Sequence, residues 1–167
     1  HRVDRRQRQM CIRDSDEIDI SLLKKVVDRS IDNGVDGVVA AGSTGEVGTM
    51  DFKERMLLID TVIEHTAGRV KVIAQTGATT TSEAIKYSKA AEKSGADVLM
   101  LLTPYYEPLS RQEIKKYIKD VANSTSLPIM LYNIPAVTGS NMNPDFVREL
   151  ANEIDNVQYI KDSSANW

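Results

Sequence analysis

Residues 97–108, DVLMLLTPYYEP, decide the fold class of this chain. The first half is an unbroken apolar run, which suits a strand covered on both faces, as parallel strands are, better than one with a wet side. The second half sets Tyr105 and Tyr106 between two prolines, a stiff loop that loses little entropy on ordering. Apolar runs of the same kind, VIAQ at 72–75 and IMLY at 129–132, lie to either side. Strands are expected to start near residues 36, 70, 97, 128 and 157. The spacings of 34, 27, 31 and 29 residues are each the length of one strand–helix unit with short loops.

Helices fill the intervals. Asp19 reads as the N-cap of a helix carrying Leu22, Leu23, Val26, Val27 and Ile31 on one face and stopped at Gly34. Further helices are expected from near Asp51, Thr80, Ser110 and Asn143. Thr80 with Glu83 and Ser110 with Glu113 have capping-box spacing, and Asn143 precedes a proline at the first helical position. Phe52, Met56, Ile59 and Ile63 form one buried stripe, and Ile114, Tyr117, Ile118 and Val121 another. The class is α/β, with two architectures open: a doubly wound sheet, or part of an eight-stranded barrel, which typically needs about 250 residues.

With 167 residues, 41% hydrophobic and 27% charged, the chain has enough apolar material for one domain with a core. The net charge of −3 and the lack of a basic stripe argue against nucleic acid as a partner. No apolar run is long enough to span a bilayer, and no signal peptide is recognisable, so a membrane is not expected and a cytoplasmic location is. The single cysteine, Cys11, has no internal disulfide partner. Residues 1–15 crowd Arg2, Arg5, Arg6, Arg8 and Arg13 into a segment without apolar periodicity. They read as an artefact or a disordered arm, leaving residues 16–167 as the folded domain. His1 and His65 have no metal-ligand spacing, so no metal site is expected. His65 is placed at a helix-to-strand junction away from the other motifs, which leaves no Ser-His-Asp arrangement.

Polar chemistry gathers where strands give way to helices. GSTGEVG at 42–48 lets the backbone turn tightly and presents Ser43 and Thr44 as donors for a small anion, although an ordinary connector reads the same way. Its glycine spacing fits neither a Walker loop nor a dinucleotide fingerprint. In VQYIKD, 157–162, two-residue alternation puts Val157, Tyr159 and Lys161 on one face of a short buried strand. An ammonium buried without a partner loses its proton more readily, and the free amine attacks carbonyl carbon. The competing reading is a lysine that opens a surface loop and snorkels to water. Tyr132, at the end of the preceding strand in LYNIPAVTG, is either a proton relay beside Lys161 or a core tyrosine with one satisfied hydrogen bond.

Taken in order, GSTGE at 42–46, PYY at 104–106, YNIPAVTG at 132–139 and IKDSS at 160–164 resemble the dihydrodipicolinate synthase and N-acetylneuraminate lyase family, over nearly everything from Asp19 onward. The resemblance implies a partial (β/α)8 TIM barrel of about five strand–helix units, with the first strand and the last two missing. Residues 16–167 would then be an incomplete catalytic domain, inactive or weakly active alone. It also implies a class I aldolase without a cofactor. Lys161 aligns with the lysine that forms an imine with pyruvate or another 2-oxo acid, and Tyr132 with the proton-shuttling tyrosine. Ser43 and Thr44, with the neighbouring amide of Gly45, align with the holders of the substrate carboxylate. Tyr106 aligns with a tyrosine lent to an adjacent subunit, which implies a homodimer or tetramer. Val137 stands where dihydrodipicolinate synthases usually have a carboxylate-clamping arginine. That favours a sugar-derived 2-oxo acid as substrate, with 4-hydroxy-tetrahydrodipicolinate synthase, which joins pyruvate to aspartate semialdehyde, as the alternative. A non-catalytic relative that binds a small acid is the reading from another class.

Overall fold

The computed structural model describes residues 17–166, so the arginine-rich segment set apart above, Cys11 included, lies outside the described residues. Five strands alternate with helices: α1 (Ile20–Asp32), β1 (Gly37–Ala40), a 3-10 turn (Ser43–Gly45), α2 (Phe52–Thr66), β2 (Lys71–Gln75), α3 (Thr81–Ser94), β3 (Val98–Leu102), α4 (Arg111–Ala122), β4 (Ile129–Asn133), a single turn α5 (Pro135–Thr138), α6 (Pro144–Glu153) and β5 (Val157–Asp162). The strands lie in the sheet in their chain order, and every pair is parallel. A doubly wound sheet reverses its order at a switch point, whereas a barrel adds each strand to the same side. The unbroken order is that of a barrel wall.

The expected caps form. Asp19, Thr80, Ser110 and Asn143 each accept a hydrogen bond from a first-turn amide, and the Ser110–Glu113 box is reciprocal. Asp51 and Glu54 close a second reciprocal box, which the sequence reading did not single out.

Two apolar layers hold the sheet. On one side Val72, Ala74, Leu99, Leu101, Ile129 and Leu131 pack with the helix stripes, including Ile59, Ile114, Ile118 and Leu150. On the other, Met100, Leu102 and Tyr132 form a smaller cluster with Ile73, Tyr105 and Met130, and this is the concave face of the wall. Burial on both sides explains the unbroken runs of β2, β3 and β4. The outer strands differ: Val39 in β1 and Tyr159 and Ile160 in β5 are 43%, 48% and 44% exposed, so β5 is not the buried strand expected. Likewise Leu22 and Val26 of α1 are exposed, and only Leu23 and Val27 of that stripe are fully buried.

The alternation expected of β5 also fails, for a definite reason. Ile129 pairs with Val157 but Met130 pairs with Tyr159, so Gln158 is an extra residue in the ladder. A bulge of this kind reverses the phase of a strand. Val157 therefore joins the helix-side core, while Tyr159 and Lys161, partnered by Met130 and Tyr132, turn to the concave side.

The end of β2 is fastened by a residue that periodicity does not flag. Arg55 of α2 is 4% exposed, and its guanidinium donates to the carbonyls of Gln75 (3.1 and 2.7 Å) and Gly77 (2.8 Å) while lying 4.0 Å over the Tyr87 ring. Burial pulls its pKa downward, yet a guanidinium keeps its charge at any ordinary pH. The fork clamps Gly77 against β3 so closely that an added Cβ would meet the amide nitrogen and carbonyl oxygen of Leu102 at 2.8 Å. Among the described residues, no helix is long and apolar enough to cross a membrane.

Gly77→Ala should therefore destabilise the fold by about 1–3 kcal/mol, because backbone rather than a flexible side chain must move. Gly48→Ala, where a Cβ meets nothing within 4 Å, should be close to neutral. Denaturant midpoints of the two variants against the parent check the contrast.

Candidate active site

Three strand ends build the site. The turn after β1 supplies Ser43, Thr44 and Gly45, the end of β4 supplies Tyr132, and the end of β5 supplies Lys161. All five line one cavity of about 400 Å³ that runs along β1 and α1. In the turn, the amides of Gly45 and Glu46 are used internally, donating to Gly42 and Ser43 carbonyls. Glu46 closes it at φ 55, a left-handed conformation uncommon for a non-glycine residue.

The register made by the Gln158 bulge sets Lys161 directly beside Tyr132, and its Nζ lies 3.9 Å from the centroid of the Tyr132 ring. Tyr132 is 4% exposed. Burial pushes its phenol toward a higher pKa, but hydrogen bonds with Ser43, Lys161 and Ser163, together with the lysine charge, outweigh this and leave it below the ordinary tyrosine range. Ser43 and Tyr132 come from strands three places apart. In a flat sheet, strand spacing alone would separate them by roughly 14 Å. That they line the same cavity means the sheet curls strongly toward a closed barrel.

Lys161 is half-buried rather than buried, because β5 has a strand neighbour on one side only among the described residues. Tyr106 stands apart, 86% exposed on the loop after β3, while its neighbour Tyr105 packs into the concave cluster with Tyr132. Val137 is 52% exposed on α5 and does not line the cavity. His65 falls in the last turn of α2, not at a junction, with Nε2 2.9 Å from Asp28 Oδ2. Among the described residues, no three His, Cys, Asp or Glu side chains are grouped to hold a metal ion.

Two participants escaped the sequence reading. Ser163 reaches the Tyr132 phenol, and Asn133, 2% exposed, ties together the strand ends that carry Tyr132 and Lys161. The signal for Asn133 was an amide closing an otherwise apolar strand.

The chain matches the dihydrodipicolinate synthetase family model over residues 10–167. It is 42% identical to the 4-hydroxy-tetrahydrodipicolinate synthase of Methanococcus vannielii over 149 residues, 89% of this chain and 52% of that one. It is 44% identical to the enzyme of the same name from Neisseria meningitidis serogroup B over 144 residues, 86% of this chain and 49% of the other. Among solved structures, YagE of E. coli K12, a prophage protein of the dihydrodipicolinic acid synthase family in complex with pyruvate, superposes with a TM-score of 0.92 at 34% identity, covering 95% of this chain and 53% of that one. The chain thus spans about half the length of the relatives it matches. The names of the sequence relatives run against the sugar-derived substrate inferred from Val137 and with its alternative. Val137 itself does not line the cavity.

Replacing Lys161 with methionine should move the Tyr132 titration upward, because burial, the largest influence on the phenol, is then opposed only by Ser43 and Ser163. An ultraviolet phenolate titration, with Tyr132→Phe to identify the signal, reads the shift.

Proposed function

Because the chain belongs to the dihydrodipicolinate synthetase family, we propose that it carries the Schiff-base half of a pyruvate-dependent lyase of the 4-hydroxy-tetrahydrodipicolinate synthase type. The observation that carries this reading is the placement of the Lys161 amine over the Tyr132 ring, in the cavity that also holds the Ser43–Gly45 turn.

The chemistry needs three things of these residues. The nucleophile must be a free amine, so a proton has to leave the Lys161 ammonium. We assign that task to Tyr132, whose hydroxyl stands beside the amine and whose phenol, held below its usual range by the lysine charge and the serines, exchanges protons more readily than an ordinary tyrosine. Nζ then attacks C2 of pyruvate. The resulting carbinolamine loses its hydroxyl as water once the phenol returns the proton, leaving an imine. Loss of a proton from C3 converts the imine to an enamine, whose carbon attacks the aldehyde carbon of aspartate semialdehyde. Holding the pyruvate carboxylate falls to the hydroxyls of Ser43 and Thr44, which line the cavity, since the Gly45 amide is already bonded to the Gly42 carbonyl.

The names of the sequence relatives support aspartate semialdehyde as acceptor, and the pyruvate bound in YagE supports pyruvate as the first substrate. Tyr106, exposed and set in a stiff loop, is the residue we assign to contact with a second subunit.

Trapping tests the reading. The protein at its natural length, incubated with pyruvate and reduced with borohydride, should gain the mass of the reduced adduct on the peptide carrying Lys161. Lys161→Met should abolish the gain, and Tyr132→Phe should slow it by about 100-fold or more. Addition of aspartate semialdehyde should then consume pyruvate in the unreduced enzyme. Pyruvate binding without an adduct would identify a non-catalytic acid-binding relative instead.

A further inference from the structure

Asn133 uses its whole amide at one buried point. Its Nδ2 donates to Asp162 Oδ1 (3.0 Å), Asn141 Oδ1 (3.0 Å) and the Met142 carbonyl (3.3 Å), and its Oδ1 accepts from the Met142 amide (2.9 Å). Its own carbonyl accepts from the Ser163 amide (2.8 Å). These bonds join three segments: the end of β4, the loop before α6 and the end of β5. Asn133 follows Tyr132 in β4, Asp162 follows Lys161 in β5, and the two pairs are in register. The tie therefore lies one residue beyond the amine–phenol pair.

Asp162 is suited to its part. The Ser164 amide is the strongest influence holding its carboxyl below the usual range, with the Ser164 hydroxyl and Asn133 adding to it, so it is an ionised acceptor at neutral pH. A carboxylate in place of Asn133 would set two like charges at hydrogen-bond distance.

We infer that Asn133 is a positioning residue for the proposed imine chemistry: through Asp162 it fixes the end of β5 so that the Lys161 amine stays over the Tyr132 phenol ring. This rests on reading Lys161 as the imine-forming residue. The need for such a tie follows from the register, since the ladder between β4 and β5 is interrupted by a bulge four residues before the end of β5. Its ladder with β4 alone leaves a long, flexible lysine side chain free to follow any fraying of the strand terminus. Misplacement of a reacting group by about 1 Å can cost on the order of 100-fold in rate.

The experiment compares the parent, Asn133→Asp, and the exchange Asn133→Asp with Asp162→Asn, which restores one donor and one acceptor between the two positions. Two readouts are taken on the protein at its natural length. Reductive methylation with labelled formaldehyde reports geometry without pyruvate: the Lys161 methyl resonance, identified by its loss in Lys161→Arg, should be displaced upfield by the Tyr132 ring. Borohydride trapping at saturating pyruvate reports the chemistry. Asn133→Asp should lose the upfield displacement and trap about 100-fold more slowly, with the half-saturating pyruvate concentration unchanged because the turn after β1 is untouched. The exchange should recover both. An unaltered resonance in Asn133→Asp overturns the inference, and so does an exchange variant that fails to fold or folds without the displaced resonance. If the parent forms no adduct while the resonance is lost and recovered as described, the imine reading falls and the positioning role of Asn133 stands. If Asn133→Asp traps as fast as the parent, the positioning role falls and the imine reading stands.

Discussion

The site depends on one pairing constraint, the register between β4 and β5. Side chains of neighbouring parallel strands meet only when their residues are in phase, and a strand of uninterrupted alternation from Val157 would carry Lys161 to the side facing the helices. The extra residue at Gln158 corrects the phase. Val157 keeps its place in the core under α6, and four residues later the strand shows its lysine to the concave face. One residue thus reconciles two demands on a six-residue strand: anchorage at its start and chemistry at its end.

Curvature is the second constraint. Ser43 and Tyr132 belong to the ends of strands separated by two others, and only a strongly rolled sheet brings both to one cavity. The roll is enforced from the convex side, where α2, α3 and α4 pack over β2 to β4 and leave hardly any accessible surface on Ile59, Leu99, Leu101, Val121 and Ile129. The Arg55 fork works at the rim of the same wall. It satisfies carbonyls left free where β2 ends and holds Gly77 against Leu102, next in the concave layer to Tyr132. Stability therefore comes from the middle strands, and the polar residues of the site come mostly from the outer ones.

That division explains what was legible beforehand. Caps at Asp19, Ser110 and Asn143, the stripe of α4 and the strand spacings are local properties, set within a few residues, and they appear in the structure as read. Whether Val157 and Lys161 share a face is not local, because it depends on how β5 pairs with β4. Leu22, Val26, Tyr159 and Ile160 are exposed because no strand or helix among the described residues lies over them, which periodicity does not encode. Ser43, Thr44, Gly45, Tyr132 and Lys161 came together as the motifs implied. Val137 did not join them, Tyr106 is exposed, and Asn133 went unnoticed because its bonds exist only once Asp162 is its neighbour across the ladder.

The Tyr132–Lys161 pair joins two effects that act in opposite directions. Desolvation alone would make the phenol a weaker acid and so a poor proton carrier near neutrality. The ammonium and two serine hydroxyls reverse that, but only while the lysine is close and charged. Loss of the lysine charge would leave burial less opposed, and the phenol would then hold its proton more tightly. Stronger burial would keep the proton on the tyrosine, and full exposure would let water screen the lysine. The intermediate depth of Lys161 against the fully enclosed Tyr132 sets the pair between those limits.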